Sequence, residues 1–234
     1  VDFDLVTSVT SPEELRSRLP VILGQTAIRP EPVWRRRDFA RFEIGKLPDG
    51  REEWLEFRLR NHLLEDFATL KTRAEIGNYG GEPILFMGLA DMMKSKETER
   101  ESDWNDIGLL EEIQDDRNRI ASQTAPIARI SLLSALRSRR GMDHAMERGL
   151  MVDREVVTKA IVQCKYPVTC AFLYPYAMQH AQTGLLSHDF TSLLSSVPPG
   201  SAKHFAMVEI VRRDYKRKAM ERDRMDKQRM LRDE

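Results

Sequence analysis

Apolar and polar residues alternate at the front of the chain, VDFDLVTSVT, and the run is rich in Val, Leu, Phe and Thr, which predicts a strand over residues 1–10. Ser11-Pro12-Glu13-Glu14 then starts a helix: Ser caps it, Pro takes the first turn and acids suit the positive end. Pro20 keeps that helix short. Residues 24–38 hold Pro30, Pro32 and the basic triplet 35–37, and predict an irregular connection. RFEIGKLPDGREEWLEFRL predicts a hairpin turning at Pro48-Asp49-Gly50. In its second arm Trp54, Glu56 and Arg58 share one face, and Leu55, Phe57 and Leu59 the other. The Gly77-to-Gly81 stretch predicts a turn into a further strand at 83–88.

The period then changes. Leu89, Met92 and Met93, with Ile107, Leu110 and Ile113, follow helical spacing over roughly 88–119. The acid- and base-rich middle, KSKETERESDWND, fits one helix, a turn, or two helices with a break. After Pro126 nearly everything predicts helix. IARISLLSALRSRR ends at Gly141, Asp153 caps VDREVVTKAIVQC, and Pro198-Pro199-Gly200 closes SHDFTSLLSSV. The last segment starts near Ser201. The expected fold class is α+β: a small mixed β-sheet half over 1–118, then an all-α half over 119–234 with a charged C-terminal helix.

Composition narrows the function less than the pattern does. Lys+Arg and Asp+Glu both number 37, so net charge steers the protein toward neither nucleic acid nor membrane. No apolar run is long enough to span a bilayer, and no signal peptide is visible. The two cysteines, Cys164 and Cys170, form no CxxC and fit a reducing cytoplasm. The five histidines are scattered without metal-ligand spacing, and no GxSxG motif supports serine catalysis. The chain starts at Val1, already inside a predicted strand, so its natural start is expected upstream.

Candidate chemistry begins with Asp2 and Asp4. A D-x-D pair on a strand places both carboxylates on one side, roughly 7 Å apart along the chain. Such a pair suits a divalent cation with oxygen ligands, the requirement of phosphoryl transfer. The same spacing also arises on any exposed strand face.

A second element, GLADMMKSKETERESDWNDIGLLEEI, has an Asp leading a helix, lysines after it, then Arg and Asp-x-x-Asp-Ile. With VDFDLV and WLEFRL it resembles the nucleotidyltransferase superfamily with the DNA polymerase beta-like fold, above all its small prokaryotic members, including toxins of toxin–antitoxin systems. The resemblance covers about residues 1–116. It implies that Asp2, Asp4 and Glu56 hold metal, with Glu56 also a candidate general base. It implies that Lys94, Lys96 and Arg100 meet the nucleotide, and that Asp91, Asp103 and Asp106 form the structural part of the motif. Two magnesium ions, an NTP substrate, and an RNA, protein or small-molecule acceptor follow from it, with an antitoxin or neighbouring subunit as partner and no membrane. The family's Gly-Ser turn, which cradles the phosphates, would fall upstream of Val1, and Ser102 stands where Lys often precedes the first Asp of Asp-x-x-Asp.

The residues also carry blander readings. Glu56 fits a solvated strand position, with Glu43 as its rival; Lys94 and Lys96 fit a solubilising face; Asp103 and Asp106 fit capping or pairing with Arg100. The C-terminal segment 201–234 has 11 basic and 7 acidic residues, a mixture that suits a solvated helix or, less directly, a nucleic-acid backbone. Two alternatives to an enzyme therefore stand: a non-catalytic module that keeps the nucleotidyltransferase fold to bind a partner, and a nucleic-acid-binding protein using 35–37 and the tail.

Overall fold

The computed structural model describes residues 2–9, 11, 13–15, 17–18, 33–36, 39–59, 61–121, 128–177 and 184–232. Pro20, the irregular stretch 24–32, Arg37 and residues 122–126 lie outside this set. The chain divides into two compact units, Val1–Ser95 and Lys96–Glu234.

The first unit is mixed α and β. A four-stranded sheet has the order β1 (Asp2–Val6), β4 (Glu52–Arg58), β3 (Phe39–Lys46), β2 (Val33–Arg36). β1 runs parallel to β4, and the other pairs are antiparallel. The predicted hairpin forms as β3–β4. Gly50 N–H donates to Leu47 O at 2.9 Å, and Asp49 accepts from Arg51 N at 3.1 Å. Alternation in β4 works as the sequence predicts: Leu55 and Phe57 are buried, whereas Trp54, Glu56 and Arg58 are half-buried. Ser11 Oγ accepts from Glu14 N at 3.1 Å, which is the predicted cap. The basic triplet departs from expectation. Arg35 and Arg36 belong to strand β2, because Val33 and Trp34 favour strand and β3 offers a free edge to pair with.

Downstream lie α1 (Phe67–Thr72), a two-stranded ribbon of β5 (Glu75–Tyr79) and β6 (Glu82–Phe86), and α2 (Leu89–Ser95). The sequence predicts one strand here and the structure has a hairpin. Gly80 and Gly81 both take positive φ, 62° and 94°, which a tight two-residue hairpin turn needs and side-chain-bearing residues resist.

Among its described residues the second unit has helices alone: α3 (Glu101–Ala121), α4 (Ala128–Ala135), α5 (Arg139–Glu147), α6 (Arg154–Gln163), α7 (Pro167–Leu173), a 3-10 turn (Tyr174–Tyr176), α8 (His188–Ser195) and α9 (Ala202–Arg232). The expected boundary near 118 falls inside α3, and the units part at Ser95/Lys96 instead. The reason is that α3 is bonded into the helical core. Glu111 accepts from Arg212 on α9 at 2.9 Å, and Asp115 accepts from Ser138 N and Oγ at 2.8 and 2.7 Å.

Asp115 also explains a second departure. Gly141 does not end a helix; it lies in the first turn of α5, capped by Ser138. A Cβ on Gly141 would stand 2.1 Å from Asp115 Oδ2, so glycine here admits the carboxylate rather than stopping the helix. Asp153 caps α6 as predicted, accepting from Glu155 N at 3.0 Å.

The helical core gathers Leu133, Met142, Val157, Ile161, Phe172, Leu194 and Val208. His204 is fully buried among them. Its Nδ1 accepts from Gly200 N at 3.0 Å, which leaves Nε2 to donate to Ala171 O at 3.3 Å, and its ring stacks on Phe172. Burial lowers its pKa, and the charge of Arg139 acts in the same direction.

Candidate functional site

The parallel pairing of β1 with β4 sets Asp2 beside Trp54 and Asp4 beside Glu56. On the other side β3 sets Arg41 beside Glu56 and Glu43 beside Trp54. One sheet face therefore carries, in register across three strands, Asp4, Glu56 and Arg41, with Asp2, Trp54 and Glu43 one row along. The side chains of Asp2, Asp4 and Glu43 lie outside the described residues.

Those of Glu56, Arg41 and Trp54 are described. Glu56 is 14% exposed at its side chain, with Arg41 Nε 3.2 Å and Arg58 Nη2 4.0 Å from its carboxylate. The Arg41 guanidinium also lies over the Trp54 ring, 4.1 Å from the centroid. This ring-backed cation is what the sequence reading missed; the alternation in RFEI, with Arg41 in step with Glu43, was the available signal.

The remaining expected site residues fall into two groups. Asp91, in the first turn of α2, is gripped by Arg73 from α1's C-terminus through Nε at 2.9 Å and Nη2 at 2.8 Å. Arg73 also meets Glu65, and these bonds raise its already high pKa. Asp91 therefore fastens α2 to α1. Lys94 is half-buried in the last turn of α2, in the same unit as the sheet.

Lys96, Arg100, Asp103 and Asp106 belong to the helical unit and are bonded to one another. Lys96 Nζ donates to Asp106 at 2.9 Å and stands 3.7 Å from Asp103. Arg100 forks onto Asp103 with two bonds of 2.9 Å, and Thr98 Oγ1 also donates to Asp103. Burial pushes the Asp103 carboxyl up, but the bonds from Thr98 and Arg100 and the charges of Arg100 and Lys96 outweigh it and hold it below its ordinary value. Trp104 Nε1 donates to Thr98 O at 2.8 Å. The predicted Asp-x-x-Asp segment thus winds the start of α3 into a capped, ion-paired turn.

The acids between the cations have a different task. Glu97 accepts from Tyr215 Oη at 2.5 Å, Glu99 meets Lys227 at 3.2 Å and Arg224 at 3.5 Å, and Glu101 accepts from Lys216. Fully buried Asp223 accepts from Glu99 N at 2.9 Å and pairs with Lys227 at 2.7 Å. Every second residue of 97–101 is therefore an acid tied to α9, which accounts for several charges of the C-terminal helix without an outside ligand.

Among the described residues, no three His, Cys, Asp or Glu side chains stand ready to hold a metal ion. The donor chemistry of Asp2, Asp4 and Glu56 nonetheless suits a hard divalent cation, which takes carboxylate oxygens. No family model, curated protein or solved structure matches the chain.

Proposed function

We propose that the sheet face carrying Asp2, Asp4 and Glu56 is a divalent-cation site for nucleotidyl transfer, passing a nucleoside monophosphate from an NTP to an RNA, protein or small-molecule hydroxyl. The carrying observation is the register: β1 lies parallel to β4, with Asp4 directly beside Glu56. An acidic pair separated from the third acid by some fifty residues of sequence is brought onto adjacent strands. Asp2, Asp4 and Glu56 would hold magnesium, which neutralises triphosphate charge when bound. Lys94, in the same unit, is the cation proposed to meet phosphate. Lys96 and Arg100 are assigned a smaller part, because Asp103 and Asp106 already engage them.

The test is incubation of the chain with labelled NTPs, magnesium and total RNA or protein. The reading expects labelled product from the wild type and none from Asp4→Asn or Glu56→Gln. Product that survives both substitutions contradicts it.

One observation favours a second reading. Arg41 seated between Glu56 and Trp54 already neutralises the third carboxylate, as in a fold kept for binding a partner rather than for catalysis. On that reading, Arg41→Ala leaves the chain inactive toward every NTP, whereas on the first it alters an activity that exists. Nucleic-acid binding through the tail ranks below both, since Lys216, Arg224 and Lys227 have acidic partners within the helical unit.

A further inference from the structure

The helical unit contains a cavity of about 1010 Å³ in the wall formed by α3, α4 and α5. That is at the upper end of the range that holds small organic ligands. Its lining is of two kinds. Leu132, Leu136, Ala145 and Leu150 supply an apolar part. Charged side chains supply the rest, and most of them are already paired. Arg139 bonds Asp143 at 2.9 Å, Arg119 meets Asp116 at 3.5 Å, and Arg140 stands 3.9 and 3.8 Å from Glu112 and Asp116. Asp115 is taken up by the backbone and hydroxyl of Ser138.

The side chains of Arg129 and Arg148, both exposed to solvent, also line the cavity, and their guanidinium groups have no ion-pair or hydrogen-bond partner among the described residues. Against them stands one similarly unengaged acid, Glu147. A cavity with an apolar part and two guanidinium groups that no described residue engages is suited to a ligand that brings negative charge on an apolar body.

We propose that this cavity binds an amphipathic organic anion, a carboxylate, sulfonate or phosphate joined to an apolar group, with Arg129 and Arg148 meeting the anionic end and Leu132, Leu136 and Leu150 the apolar one. The site lies wholly within the helical unit and involves none of Asp2, Asp4 or Glu56.

The test uses the full chain and two probes of matched shape: 1-anilinonaphthalene-8-sulfonate, and N-phenyl-1-naphthylamine, which lacks the sulfonate. Fluorescence titration should give one saturable sulfonate site per chain. The Arg129→Gln, Arg148→Gln double variant should weaken the sulfonate by about tenfold or more while leaving the neutral probe unchanged. Leu85→Ser on the exposed β5–β6 ribbon, a surface where either dye could adhere, should change neither. Unaltered sulfonate affinity in the double variant overturns the proposal, as does sulfonate binding that Leu85→Ser removes or the absence of any saturable site. Far-UV circular dichroism of the double variant confirms that a lost site is not a lost fold.

Discussion

Glu56 and Glu111 are each faced by two arginines, yet they sit in opposite surroundings. Glu56 has Arg41 at 3.2 Å and Arg58 at 4.0 Å on a sheet face, with an aromatic ring behind the nearer cation. Glu111 has Arg212 at 2.9 Å and Arg137 at 3.7 Å in the helical core, where its side chain is only 2% exposed. Burial raises the Glu111 pKa despite the opposing pull of Arg212 and Arg137. A carboxylate that water cannot reach has one task, to keep its partners satisfied. Glu56, next to Asp4 in the strand register, is the carboxylate we propose exchanges its partner for a metal ion. The difference teaches that pairing alone does not mark a site; what else can reach the pair does.

That contrast can be broken most forcefully at Glu111. Glu111→Ala takes from Arg212 the nearer of its two acids, leaving Glu209 at 3.6 Å, and takes from Arg137 the acid at 3.7 Å, and should cost about 3 kcal/mol of stability in urea unfolding. Glu56→Ala should cost about 1 kcal/mol. Equal losses would erase the distinction. Gly141→Ala is next in size. Its methyl would meet Asp115 Oδ2, so the loss should be about 1–3 kcal/mol by the same measurement.

The pH dependence sharpens the helical side. Because the folded pKa of His204 lies below its ordinary 6.5, the unfolded chain takes up its proton first. The stability contributed by neutral His204 is thus complete above pH 6.5 and is lost as pH falls below it, with a slope of up to about 1.4 kcal/mol per pH unit. Glu111 and Asp115, raised by burial, act in the opposite direction: each loses stability as pH rises from its ordinary value through its folded one. Of these three groups, His204 alone loses stability as pH falls, so it carries the acid-side loss among them. His204→Asn should flatten the stability profile between pH 6.5 and 5.5, measured by urea midpoints. The smallest expected effect is on the sheet side. Arg41→Ala removes a cation from the Trp54 ring and should cost about 0.5–1 kcal/mol while shifting the tryptophan emission.

Legibility in the sequence followed the range of the interactions. Local signals held: the turn at Asp49-Gly50, the Ser11 and Asp153 caps, and alternation in WLEFRL all formed as their chemistry requires. Features set by distant partners were not legible. Arg35 and Arg36 became strand because β3 had an edge to fill. Gly141, which looks like a stop, sits inside α5 because a carboxylate 26 positions earlier needs the space. Within the candidate site, the placing of Asp4 beside Glu56 and the Arg41–Trp54 stack both depend on cross-strand register, which no local motif states. The segment 96–106 carries the Arg and Asp-x-x-Asp pattern on which the resemblance rests, with Glu97, Glu99 and Glu101 set between its cations. Those three acids bond to Tyr215, Lys216 and Lys227 on α9, more than a hundred positions away, and no local pattern announces it.

The most direct measurement is calorimetric titration of manganese or magnesium, with and without a non-hydrolysable NTP, into the wild type, Asp4→Asn and Glu56→Gln. If the carboxylate row is a divalent-cation site, the wild type binds metal, nucleotide tightens that binding, and each substitution weakens it by about tenfold or more. An absence of metal-dependent heat in the wild type, or equal affinity in all three chains, would contradict it.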